Sequence, residues 1–257
     1  MSKGHGAFVW YELMTTDTKA AEEFYDDVVG WTSQDAGMPG GSYTLFKAGD
    51  VNVAGLMTMP EGALKMNIPP AWLGYIGVDD VDAAAKKLAK LGGTVHREPE
   101  DIPSIGRFAI VTDPHGAVFA LFKGDGSGEM PELAQNANGN IGWHELMAGD
   151  LATDLPFYQE MFGWAKDQTM PMGEMGDYQL FAHNGAQIGG MMTKAPETPA
   201  PYWGYYINVE ALDSAVARAT ARGAKIIMGP MEVPGGAWVI NGIDPQGAAF
   251  SLVSMKR

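Results

Sequence analysis

Two glutamates stand in the same local phrase, Trp10-Tyr11-Glu12-Leu13-Met14 and Trp143-His144-Glu145-Leu146-Met147. In an extended strand alternate side chains share a face. Trp10, Glu12 and Met14 then point one way, as do Trp143, Glu145 and Met147. A carboxylate beside an indole in a partly dry pocket suits general acid–base chemistry, or accepts a hydrogen bond from a ligand. The same glutamates can instead tie the sheet together through backbone or side-chain hydrogen bonds, because an unpaired buried charge is costly. Strand parity turns Tyr75, Tyr206 and Asn208 inward with them, and also Arg107 and its counterpart Trp238. The expected site has Glu12 and Glu145 as its reactive groups. Trp10, Met14, Tyr75, Arg107, Trp143, Met147, Tyr206, Asn208 and Trp238 are expected to contact the ligand, with Met38, Met170, Met172 and Met175 at the rim.

The phrase occurs twice because the chain does. Phe24-Tyr25 and Gly30-Trp31 return as Phe157-Tyr158 and Gly163-Trp164. Gly55-Leu56-Met57-Thr58 returns as Gly190-Met191-Met192-Thr193, and Asp113-Pro114-His115-Gly116 as Asp244-Pro245-Gln246-Gly247. Such a repeat predicts two similar modules, residues 5–124 and 139–257, joined by a Gly-, Asn- and Ser-rich linker at 125–138. Each module reads as a strand (8–14; 141–147), then a helix capped by Asp17 or Asp150 and closed by Gly30 or Gly163. Pro156 predicts a kink or an irregular start in the second of these helices. A hairpin follows, turning at Gly49-Asp50 or at Asn184-Gly185. A strand (72–78; 203–209), a second helix and a hairpin through the D-P-x-G turn complete the plan. The fold class is α+β, as tandem βαβββ units.

Composition narrows the partners. Of 257 residues, 17 are Lys or Arg and 31 are Asp or Glu, a formal charge of −14. Such a chain repels phosphate backbones, which argues against nucleic acid. There is no cysteine, which excludes disulfides, thiolate catalysis and zinc–sulfur sites. No apolar run has membrane-spanning length, and the first residues lack a secretory h-region. A cytoplasmic protein binding a small molecule is expected. It would be a monomer with internally paired modules, or a homodimer.

The pattern Asp17…Phe24-Tyr25…Gly30-Trp31, Val78-Asp79-Asp80-Val81-Asp82 and Asp113-Pro114-His115-Gly116, with its second copy, resembles the vicinal oxygen chelate superfamily. That superfamily includes glyoxalase I, extradiol dioxygenases and fosfomycin- and bleomycin-resistance proteins. The chain is most similar to a duplicated-module subgroup that includes a mycobacterial glyoxalase-like antigen. The resemblance implies U-shaped mixed sheets around small-molecule cavities. It also implies a divalent metal in many members, held by first-strand, middle-strand and last-strand ligands. Those positions here are Trp10, Leu73 and Ala120, and Trp143, Gly204 and Ser251. None supplies a His or a carboxylate, so no cofactor is expected. The expected function is binding of a small organic molecule in an aromatic-lined cavity without the family's metal. Two alternatives stand beside it: a glyoxalase- or dioxygenase-like enzyme, metal-dependent or using Glu12 or Glu145 as acid–base catalyst, and a non-catalytic interaction protein with a closed cavity.

Overall fold

The computed structural model of the chain describes residues 4–38, 42–126 and 133–257. The first repeat runs β1 (Phe8–Thr15), α1 (Thr18–Val29), β2 (Thr32–Asp35), β3 (Tyr43–Ala48), β4 (Val51–Thr58), α2 (Glu61–Lys65), β5 (Ala71–Gly77), α3 (Val81–Lys90), β6 (Thr94–Ile102), β7 (Gly106–Thr112) and β8 (Val118–Gly124). The second runs β9 (Ile141–Ala148), α4 (Leu151–Phe162), β10 (Ala165–Pro171), β11 (Asp177–His183), β12 (Ala186–Thr193), β13 (Tyr202–Asn208), α5 (Leu212–Ala221), β14 (Lys225–Glu232), β15 (Trp238–Ile243) and β16 (Ala249–Ser254), with one 3-10 turn at Gly173–Met175. The strands form two similar eight-stranded sheets, ordered β2-β3-β4-β1-β5-β8-β7-β6 and β10-β11-β12-β9-β13-β16-β15-β14. Both are mixed: β1 with β4, β5 with β8, β9 with β12 and β13 with β16 run parallel, and the hairpins antiparallel. This is the expected α+β class.

Local signals set the element ends. Asp17 accepts from Ala20 N and caps α1; Gly30 closes it at φ 87°, in the left-handed region that favours glycine. Gly163 closes α4 in the same way at φ 71°. Pro156 does not divide α4, which is one helix; its start differs instead, with Asp150 accepting from Ala152 N, one residue earlier than Asp17 does. Asn184 and Gly185 both take positive φ, 50° and 83°, as the hairpin turn requires.

By contacts the chain divides into two compact units that interleave the repeats. One comprises Met1–Trp10, Leu73–Glu129 and Trp143–Trp203; the other Tyr11–Trp72, Met130–Gly142 and Gly204–Arg257. The repeats of sequence at 5–124 and 139–257 are thus cut differently from the units of packing. Of the linker expected at 125–138, residues 127–132 lie outside the described residues, as do residues 39–41, which follow Met38 of the expected rim.

In the first unit α3 lies against α4, and Lys87 donates to the Glu160 carbonyl near the α4 C-terminus. In the second, α1 lies against α5, and Arg218 donates to the Asp27 and Val28 carbonyls at 2.7 and 2.8 Å. A cation at each helix C-terminus satisfies carbonyls that the helix itself leaves open. The cores are aromatic. Phe119, Tyr158, Phe162, Trp164, Phe181 and Trp203 pack together in the first unit. Phe24, Tyr25, Trp31, Phe46, Trp72 and Phe250 do so in the second.

Polar atoms of these rings carry the repeated motifs. Tyr158 OH donates to Asp113 Oδ2 and receives Trp203 Nε1–H at 3.1 Å. Tyr25 OH donates to Asp244 Oδ2 and receives Trp72 Nε1–H at 3.0 Å. Asp113 Oδ1 also accepts from the amides of His115, Gly116 and Ala117, which fixes the D-P-x-G turn. Trp31 Nε1–H reaches the Gly139 carbonyl at 2.8 Å, and Trp164 Nε1–H the Gly6 carbonyl at 2.7 Å. Each buried polar atom of these motifs finds a partner, as a dry interior requires.

Candidate functional site

In the first unit the register of β9 with β12 sets Glu145 opposite Gly190 and Met147 opposite Met192. Tyr178, from β11, lies directly over Gly190: a Cβ there would stand 2.2 Å from Tyr178 Cζ. Glycine is therefore what lets the phenol reach the carboxylate. Trp143 Nε1–H donates to Tyr178 Oη at 3.0 Å, and Tyr178 OH donates to Glu145 Oε1 at 2.9 Å. The indole can only donate, so the Tyr178 proton is directed at Glu145. Burial, and then the charge of Glu145, push the Tyr178 hydroxyl well above its ordinary value, so it stays a donor. Trp143, Glu145, Met147 and Tyr178 are all partly exposed, on the face opposite buried His144 and Leu146. Tyr202 opens β13 beside them; its hydroxyl is pushed up by burial and by Glu145.

The second unit holds the counterpart. Glu12 lies opposite Gly55 and Met14 opposite Met57. Tyr43 covers Gly55, where a Cβ would stand 1.9 Å from its hydroxyl oxygen. Glu12 is only 8% exposed. Ala71 occupies the strand position that Tyr202 holds in the other repeat.

The remaining expected residues divide by face. Trp10 lies on β1, in the first unit, and is partly exposed. Tyr75 pairs across with Ala120 and packs against Phe108 and Phe122; Tyr206 pairs with Ser251. Asn208 shares the face of Tyr206, but its amide donates to the Gln135 and Asn140 carbonyls at 2.9 Å each. Arg107 and Trp238 are corrections: both point to the helix side. Arg107 pairs with Lys123 and Trp238 with Ser254, each an odd step from Ala120 and Ser251. The Arg107 guanidinium is held by Asp82 of α3 at 2.7 Å and by Asp101 at 2.9 Å. The Trp238 ring stacks under Arg257, 4.9 Å from the guanidinium carbon to the ring centroid.

A divalent metal does not fit the family's ligand positions. In the first unit they carry Trp10, Leu73, Ala120 and Trp143, which have no lone pair to offer; in the second, Gly204 and Ser251 offer one hydroxyl. Among the described residues no three His, Asp or Glu side chains are placed so that they could hold a metal ion.

Two histidines of the first unit are tied elsewhere. His144 is buried, donates Nδ1–H to the Ile188 carbonyl at 2.6 Å and stacks on Phe8 at 3.9 Å. Burial drives it down to about 4, so it is neutral. His115 Nδ1 meets Asp154 Oδ1 at 2.6 Å, and Asp154 is fully buried. Its hydrogen bond to Asp154 raises His115. The second unit replaces this pair with neutral groups: Gln246 Oε1 accepts from Thr15 Oγ1 and from Asp17 N.

Tyr178 and Tyr202 are the site residues that strand parity missed. Tyr178 carried a signal, because it recurs as Tyr43 at the same place in its hairpin. Tyr202 has no such counterpart.

The sequence model of the Glyoxalase/Bleomycin resistance protein/Dioxygenase superfamily matches residues 7–121 and 140–252. The chain belongs to that superfamily, with one module in each repeat. It is 33% identical over 250 residues to "Putative glyoxylase CFP32" of Mycobacterium bovis, covering 95% of this chain and 93% of the relative. It is 30% identical over 262 residues to anthracycline biosynthesis protein DauV of Streptomyces sp. (strain C5), covering 98% and 94%. Its fold is similar to that of the Mn(II)-bound glyoxalase from Novosphingobium aromaticivorans, with TM-score 0.67 and 18% identity over 98% of this chain and 83% of the other. No helix among the described residues is long and apolar enough to cross a membrane.

Proposed function

We propose that this superfamily member binds a small organic molecule on the Glu145 face, with the carboxylate as acceptor and without a metal in the family's ligand positions. The observation that carries this reading is the directed chain Trp143 to Tyr178 to Glu145. A carboxylate fixed by a donor on one side is pre-organised to take a ligand O–H or N–H, which lowers the ordering cost of binding. Trp143, Tyr178, Met147 and Met192 supply apolar contact around it. The name of DauV, an anthracycline biosynthesis protein, fits a flat organic ligand.

A second reading uses the same geometry. Glu145, oriented by Tyr178, can take a proton from a bound substrate as a general base. The name of CFP32 points to glyoxalase-type chemistry. Thermal-shift screening against a metabolite and aromatic-compound library tests binding: wild type is stabilised by members of the library, and Glu145→Gln is not. A catalytic role adds turnover that Glu145→Gln abolishes while the fold is retained. Stoichiometric metal in protein purified without chelators, together with ligand binding that a chelator removes, would overturn the metal-free part.

A further inference from the structure

We infer that the two repeats are not equivalent as sites. The Glu145 face, walled by Tyr178 and Tyr202, takes one neutral hydroxylated aromatic molecule per chain, and the Glu12 face does not. This rests on the reading of Glu145 as a ligand acceptor and names the copy and the ligand class.

Three differences between the copies point the same way. Glu12 is buried at 8% exposure, whereas Glu145 keeps part of its surface exposed, so a ligand reaches the second carboxylate more readily. Tyr202 is 41% exposed at the edge of this face, where the first repeat has Ala71. Part of that ring is open to contact, and a tyrosine ring offers a stacking surface that an alanine methyl lacks. Finally, Met170 of β10 pairs with Tyr178, where the first repeat sets Ala36 beside Tyr43, so a deformable apolar side chain replaces a methyl group.

The ligand class follows from the chemistry of this face. Trp143, Tyr178 and Tyr202 are flat, and Met147 and Met192, paired across the strands, add deformable apolar surface. Glu145 is an acceptor, so the ligand must donate. A carboxylate accepts more than one hydrogen bond, so the Tyr178 O–H and a ligand O–H can bind it together. An anion is disfavoured by Glu145 itself and by the formal charge of −14. A phenol or enol on a fused aromatic ring meets all three conditions.

The test is isothermal titration of the full chain with three probes. 2-Naphthol carries the ring and the donor, 2-methoxynaphthalene the ring alone, and 2-naphthoate an anion. The expected result is one 2-naphthol per chain, with the ether at least about tenfold weaker, in line with loss of a charge-assisted hydrogen bond, and the naphthoate weaker still. Glu145→Gln and Tyr202→Ala should each weaken 2-naphthol about tenfold or more, and Glu12→Gln less than about twofold. Melting temperatures show which variants remain folded; Tyr202→Ala, at an exposed position, keeps the test open if Glu145→Gln does not. Two molecules per chain, or equal losses from Glu12→Gln and Glu145→Gln, overturn the asymmetry. Equal binding of alcohol and ether overturns the donor requirement. Absence of binding by all three probes overturns the ligand class, while library hits that need Glu145 would still uphold the general binding reading.

Discussion

Tyr158 gives its phenolic proton to Asp113 Oδ2 at 3.0 Å, across 45 residues and from one repeat to the other. Removing that hydroxyl leaves Trp203 Nε1–H without the acceptor it meets at 3.1 Å, and takes one partner from a carboxylate 1% exposed. Tyr158→Phe should therefore cost on the order of 1–3 kcal/mol. Tyr25→Phe should do the same through Asp244 and Trp72. Urea denaturation reads both losses; a change below about 0.5 kcal/mol in either would show that the buried network is not what holds the turn.

Gly190→Ala would place a methyl 2.2 Å from Tyr178 Cζ. The ring must lift away, which breaks the bond to Glu145. Stability should fall by about 1–3 kcal/mol from overpacking, and binding should fall with it. Tyr178→Phe separates the two effects: it keeps the ring and deletes the hydroxyl, which donates to Glu145 and accepts from Trp143 Nε1–H, so affinity drops without overpacking and the melting temperature falls less than in Gly190→Ala.

His144 makes the fold sensitive to acid. Its folded value of about 4 lies below the ordinary 6.5. A histidine lowered in this way contributes stability that is whole above 6.5 and is lost as pH falls toward 4, in all on the order of 3 kcal/mol. His144→Phe should flatten the decline in urea midpoint between pH 6.5 and 4, with Phe8 still packed against the new ring. An unchanged slope would contradict the assignment.

His115 acts with the opposite sign. Its pairing with Asp154, in a field that also includes Asp113 and Asp150, raises it. Its contribution is present below the ordinary 6.5 and fades as pH rises through the raised value. His115→Gln reproduces the residue at the matching turn of the other repeat. It should lower stability at pH 6 and abolish the fall on the alkaline side. Unfolding curves from pH 6 to 9 for wild type and variant decide this.

Much of the fold was legible because the chain states it twice. Asp17 and Asp150, Gly30 and Gly163, and the Asn184-Gly185 turn are local signals whose meaning depends on a few neighbouring atoms. The facing of Arg107 and Trp238 is a different matter. A slip of one residue in pairing turns every side chain to the other face, and register is decided by strands distant in sequence. Tyr202 was out of reach for the same reason: nothing near it in the chain says that β13 begins beside Glu145. The link from Tyr158 to Asp113 joins a helix residue of one repeat to the D-P-x-G turn of the other. Its partner relation is set by packing between the repeats, and no spacing rule within one repeat contains it.

The interleaved packing has a consequence for the origin of such a chain. A single repeat carries one half of each unit. Alone it can complete neither, and it finds its complement only by meeting a second copy. Joining two repeats in one polypeptide turns that encounter into an intramolecular one, with a high and constant effective concentration. It also frees the two halves to diverge, so that one carboxylate can be buried, as Glu12 is, while its twin Glu145 stays partly exposed.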